Sequence, residues 1–118
     1  MAVLMITHNL RVVNQVADQV LVMYAGRMVE SAERRRLLSA PHHPYSKDLL
    51  QAIPGTSLRD EPLREIPGKV PPATRFPDHC RFAERCASCF DRCREEMPEP
   101  IEVGSGLETA CFLYEEGP

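Results

Sequence analysis

Five cysteines fall near the end of the chain, spaced Cys80-x5-Cys86-x2-Cys89-x3-Cys93, with seventeen residues between Cys93 and Cys111. Four thiolates hold either a tetrahedral zinc ion or an iron–sulfur cluster. The spacing lacks the paired Cys-x-x-Cys of a zinc ribbon, so both stay open, as does a set of reduced cysteines packed as small apolar side chains. His79 beside Cys80 is an alternative ligand. His42 and His43 are weaker ones, because adjacent loop residues seldom turn both rings to one ion, and Pro44-Tyr45 reads as a helix start. The other candidate chemistry lies at the opposite end. Val3-Leu4-Met5-Ile6 is an apolar run that stops abruptly at Thr7-His8. It reads as a strand buried on both faces of a parallel sheet, and in such sheets ligands are met just past the carboxyl end of a strand. His8 therefore stands where polar chemistry is expected; the plainer alternative is a polar strand-end residue.

The elements that would position these groups follow from periodicity. Asn9 can cap a short helix whose Leu10, Val13 and Ala17 share an apolar face. Gln19 to Tyr24 is a β-forming run, Ala25-Gly26 a two-residue turn, and Arg27 to Glu30 the returning strand of a hairpin. Glu33 to Ser39 suits a surface helix, with Arg34-Arg35-Arg36 as its solvated face and a phosphate or acidic-lipid site as the alternative. Pro41-His42-His43-Pro44 breaks that helix. Tyr45, Leu49, Leu50 and Ile53 then mark an amphipathic helix that Pro54-Gly55 ends. From Thr56 to Phe76 prolines dominate and the chain reads as an extended linker. Beyond it lie the cysteines, an acidic tail, and Ala110-Cys111-Phe112-Leu113-Tyr114 as an expected last strand.

The totals bound what this can be. With 118 residues the chain suits one modest domain, while eleven prolines argue against a single tightly packed unit. A net charge of −3 gives no electrostatic reason to expect nucleic acid. No apolar run is long enough to span a membrane, and Met1 to Ile6 is too short and lacks the basic leader of a signal peptide. The expected compartment is the cytosol, where cysteines serve metals or redox chemistry more than disulfides.

Taken together, Leu4-Met5-Ile6-Thr7-His8-Asn9-Leu10, Ala17-Asp18-Gln19-Val20 and Met23-Tyr24-Ala25-Gly26-Arg27-Met28-Val29-Glu30 resemble the switch-histidine end of an ABC transporter ATP-binding subunit. His42-His43-Pro44-Tyr45, Leu49 to Pro54, Ile66-Pro67-Gly68, Cys80 to Cys86 and Cys111 narrow the resemblance to the dipeptide/oligopeptide importers. The resemblance implies that His8 contacts the γ-phosphate of ATP, where an imidazole can donate a hydrogen bond as charge shifts. The family usually has Asp after this histidine; Asn9 stands there, and both cap helices. It also implies that Cys80, Cys86, Cys93 and Cys111 hold a [4Fe–4S] cluster in some members, with zinc behind it. Cys89 falls outside that set as a spare, a competing ligand or a free thiol. Arg75, Arg81, Arg85, Arg92 and Arg94 are expected to favour thiolates and offset an anionic cluster.

The implied fold is α/β: residues 1–55 as the C-terminal end of a P-loop ABC ATPase domain (strand, switch loop, helix, β-hairpin and following helices). Residues 56–118 form a proline-rich, cysteine-containing extension. No P-loop, no signature motif and no apolar strand ending in Asp-Glu occurs in the sequence. A P-loop supplies the backbone N–H groups, lysine and hydroxyl that hold the phosphates and Mg²⁺, so the chain alone is expected to be inactive. The complete protein would use ATP and Mg²⁺ to drive peptide import. Its partners would be membrane permease subunits, a second ATP-binding subunit and, indirectly, a peptide-binding protein, on the inner face of the cell membrane. A cluster would serve as a structural staple for a tail poor in aromatics. The rival reading is a free-standing iron–sulfur or zinc module without a transport role, and a third is a decayed product that never folds.

Overall fold

The computed structural model describes residues 1–52 and 66–115. The expected helix stop at Pro54-Gly55 and residues 56–65 of the linker lie outside the described residues.

Asn9 caps α1 (Leu10–Val16), its side-chain oxygen accepting from the backbone N–H of Arg11 at 3.0 Å and Val12 at 3.4 Å. The hairpin follows as expected: β1 (Gln19–Tyr24) pairs antiparallel with β2 (Arg27–Glu33), three residues longer than the sequence pattern predicts. Its turn residues Ala25 and Gly26 have φ of 49° and 81°, the left-handed pair that matches the twist of two joined strands. Gly26 serves a second purpose. A Cβ there would lie 3.3 Å from the Arg81 guanidinium and 3.4 Å from the Phe76 ring.

Alternation along β1 buries Val20, Val22 and Tyr24 and exposes Gln19, Leu21 and Met23. The short helices α2 (Arg34–Ser39) and α3 (Pro44–Gln51) sit where periodicity places them. Pro44 occupies the first helical position, where its missing N–H costs nothing.

Two expectations are overturned. The run Val3 to His8 is not a strand: residues 1–7 have no regular secondary structure, His8 lies in a bend, and all are exposed, Leu4 at 87% and Ile6 at 92%. A strand is stabilised by its ladder partners, and among the described residues nothing pairs with this run. The sheet is antiparallel throughout instead, in the order β1-β2-β4-β3. Nor is Ala110 to Tyr114 a strand. The last strands are β3 (Ile101–Gly104) and β4 (Leu107–Thr109), joined at Ser105-Gly106, and Phe112–Tyr114 is a 3-10 turn. The apolar run at 110–114 follows the strand because Ala110 N–H closes onto Val29 O at 2.8 Å and the chain then turns to bury Phe112.

The main hydrophobic cluster joins Val20, Val22, Tyr24, Val29, Ala32 and Leu37 to Phe82 and Leu107. Phe82 is its aromatic hinge, edge-on to Tyr24 at 5.1 Å and 5.4 Å from Tyr45. β2 also pairs with β4. The boundary drawn at residues 55 and 56 thus divides composition, while the cluster runs across it. In the described part of the linker, Ile66 packs on this cluster and Ala73–Arg75 forms a 3-10 turn.

Candidate functional site

Cys80, Cys86 and Cys93 belong to one knot of tight turns. Cys80 N–H donates to the carbonyls of Cys93 at 3.1 Å and Glu96 at 3.0 Å, closing the segment on itself. Inside it, 3-10 turns at Ala83–Arg85 and Asp91–Arg94 set the three thiols. Cys111 arrives separately, from the end of β4. All four line a single pocket with His43, Phe82, Ala83 and Phe112. Cys89 does not line it; its thiol turns to the Phe90 carbonyl at 3.7 Å. Among the described residues, no group of three or more His, Cys, Asp or Glu is arranged to hold a metal ion.

The thiols differ electrostatically from expectation. Burial pushes Cys86 and Cys111 up to about 11, and Cys80 upward as well, with neighbouring cysteines adding to each. Four of the five arginines expected to favour thiolates are occupied elsewhere; Arg75 is exposed in its 3-10 turn. Arg81 lies over the Phe76 ring at 4.1 Å and donates to the Ala25 carbonyl. Arg85 holds the carbonyls of Pro67 at 2.9 Å and Ile66 at 3.3 Å. Arg92 lies over Phe112 at 4.1 Å and pairs with Glu96 and Glu115. Arg94 pairs with Glu84; it also draws the Cys89 thiol down, against the larger upward push of burial. These side chains brace the knot around the cysteines.

His43 is the group that sequence reasoning underrated. It is 2% exposed. Its Nδ1 accepts from Tyr45 N–H at 3.0 Å, capping α3. Burial lowers its pKa to about 4, offset in part by its hydrogen bond to the Ala110 backbone, and Lys47 lowers it further. A neutral ring that accepts at Nδ1 carries its proton on Nε2, which suits donation to the Ala110 carbonyl. Beneath it, the fully buried Glu30 carboxylate accepts from His43 N–H at 2.8 Å and from His42 N–H at 3.0 Å. The available signal was Pro44, because a proline opening a helix marks the residue before it as the cap.

The remaining candidates fall outside the pocket. His8 is exposed in a bend just before the Asn9 cap. His79 Nδ1 meets the Cys80 carbonyl at 3.0 Å. His42 Nδ1 lies 3.8 Å from Glu30, and the His42 carbonyl accepts from Tyr114 OH at 2.6 Å. The arginine run is not simply solvated: Arg34 donates to the Asn14 carbonyl and Arg36 to that of Ser105 at 2.7 Å. Among the described residues no helix is long and apolar enough to cross a membrane.

Residues 29–93 match the family model described as the oligopeptide/dipeptide transporter, C-terminal region. The chain is 43% identical over 115 residues to the oligopeptide transport ATP-binding protein AppD of Bacillus subtilis, covering 98% of this chain and 35% of that protein. It is 42% identical to the probable peptide ABC transporter ATP-binding protein y4tR of Sinorhizobium fredii, covering 98% of this chain and 35% of that protein. It is 38% identical to the dipeptide transport ATP-binding protein DppD of Escherichia coli, covering 94% and 34% respectively. The chain thus spans about a third of the length of the curated relatives it matches. These relatives are transporter ATP-binding proteins rather than free-standing metal modules.

Proposed function

This chain belongs to the oligopeptide/dipeptide transporter C-terminal family, and from that premise we propose that it forms part of the ATP-binding subunit of an ABC importer for peptides. The observation that carries the reading is 43% identity to an oligopeptide transport ATP-binding protein over nearly the whole chain. In the complete subunit, ATP and Mg²⁺ are held by motifs this sequence lacks, and His8 meets the γ-phosphate. Its exposed place at the head of a capped helix supports that role. Residues 1–55 close the ATP-binding domain and residues 56–118 form the extension. The subunit works as a pair beneath membrane permease subunits, on the cytoplasmic face.

We place a [4Fe–4S] cluster on Cys80, Cys86, Cys93 and Cys111. Four thiols lining one pocket are the donor set that such a cluster takes. Such a cluster, when bound, ties four points of the chain through iron–thiolate bonds. The residues around it hold the knot closed and keep water from the apolar walls formed by Phe82 and Phe112.

Two measurements test this. The purified chain should show no Mg²⁺-dependent ATP turnover. A chimera in which it replaces the matching third of the Bacillus subtilis relative should turn over ATP, and His8→Ala should lower that rate about a hundredfold. Turnover by the isolated chain, or a chimera indifferent to His8→Ala, would sink the assignment. For the cluster, anaerobic purification with iron, sulfide and zinc analysis should find iron and sulfide in equal amounts.

A further inference from the structure

The three cysteines of the knot are placed by its own hydrogen bonds; Cys111 is not. It enters the pocket from the end of β4, eighteen residues of sequence after Cys93. Something must hold Cys111 in register with the other three, because a cluster with one ligand displaced loses the iron bound there.

Phe112, next to Cys111, packs with Ala83 and Cys93 of the knot, and a second side chain of the pocket wall, His43, reaches both segments as well. The His43 ring lies 5.9 Å from the ring of Phe82, inside the knot, and hydrogen-bonds the backbone of Ala110, next to Cys111. Its own position is fixed from two sides. Glu30 receives its backbone N–H, and Tyr45 N–H donates to its Nδ1. Glu30 in turn sits on β2 directly opposite Thr109 on β4, whose hydroxyl donates to the Val29 carbonyl at 3.2 Å. The same carbonyl receives Ala110 N–H. The segment before Cys111 is therefore pinned on its N–H side by β2 and on its carbonyl side by His43.

We propose that His43 is a positioning residue for the cysteine pocket, holding the Ala110-Cys111 segment against the Cys80–Cys93 knot so that the fourth thiol joins the other three. This rests on the cluster reading above. It assigns to His43 no bond to metal, only the placement of a ligand.

The test reconstitutes the full 118-residue chain anaerobically with ferrous iron and sulfide and compares the wild type with three variants. His43→Asn keeps a short acceptor to cap α3 but is too short to reach Ala110. His43→Phe fills the volume and donates nothing. Cys111→Ser removes the fourth thiol. Circular dichroism selects the His43 variants that fold, and either one suffices. The expected result is that a folded His43 variant binds iron roughly 10–100-fold more weakly, the loss typical of removing a residue that orients a metal ligand. Its oxidised paramagnetic spectrum should show the three-iron signal given by Cys111→Ser. A His43 variant with full iron content, an unaltered spectrum and the wild-type reduction potential would overturn the inference while leaving the cluster reading intact. A wild-type chain that takes up no iron or sulfide would overturn the cluster reading and this inference with it.

Discussion

At one end of this chain Leu4 and Ile6 face solvent along nearly their whole surface; at the other, Phe82 and Leu107 are sealed at 2% and 1% exposure. Both stretches carry candidate chemistry, and the exposed one is the more apolar in sequence. What separates them is the location of their partners. Phe82 finds Tyr24, Tyr45 and His43 within the chain. Val3 to Ile6, and Leu21 and Met23 on the outer face of β1, find none among the described residues. An apolar run thus identifies a surface that is buried somewhere, without saying that this polypeptide buries it.

The comparison is broken most forcefully at Phe82. Phe82→Ala should destabilise the chain by about 3–5 kcal/mol, because it removes the ring on which three others pack and leaves a void. That is a large part of the stability of an ordinary domain. Urea unfolding followed by tyrosine fluorescence should show the midpoint fall sharply or the transition vanish. A loss below about 1 kcal/mol would mean that the C-terminal knot does not depend on the hairpin.

How far the sequence announced this contrast depends on the kind of interaction involved. Local signals were read correctly. The Asn9 cap, the Ala25-Gly26 turn, the Pro44 helix start and the β-forming run Gln19 to Tyr24 each rest on neighbouring residues. The misreadings were long-range. Val3 to His8 has the pattern of a strand, but a strand needs a ladder partner that pattern alone does not supply. Ala110 to Tyr114 also has that pattern, yet pairing ends at Thr109, and it was Ser105-Gly106 that marked the hairpin. Spacing grouped the cysteines, but it could not show that Arg81, Arg85, Arg92 and Arg94 spend their charge on carbonyls, rings and glutamates. Nor could it show that His43, from a different segment, completes the pocket wall.

A smaller effect separates the two regions by pH. The unfolded chain protonates His43 near the ordinary 6.5, whereas burial in the fold lowers this to about 4. Between these values the unfolded state binds more protons, so stability is lost as pH falls through that window and is unaffected by this group above it. For the iron-free chain the loss should reach about 2 kcal/mol near pH 5 relative to pH 7.5. Urea midpoints measured across that range should slope downward with acid, and His43→Gln should flatten much of the slope. An identical slope in the variant would assign it to other groups.

The smallest effect sharpens the comparison most, because it should be nearly absent. Leu4→Ser with Ile6→Ser places hydroxyls on side chains that already face water, at positions that are neither helical nor paired. Neither desolvation nor a lost contact penalises them, so the isolated chain should change by no more than about 0.5 kcal/mol. The same pair in the chimera with the Bacillus subtilis relative meets a different fate if the run is there a central strand. Burying two hydroxyls where two branched chains packed should then cost several times as much, about 2 kcal/mol or more at each position. Thermal unfolding of both proteins, with and without the substitutions, measures the difference directly. Neutral in the chain and severe in the chimera would show that the surface around His8 is completed by the remainder of the subunit. Equal effects in the two would mean that residues 1–8 remain as exposed in the larger protein as they are here.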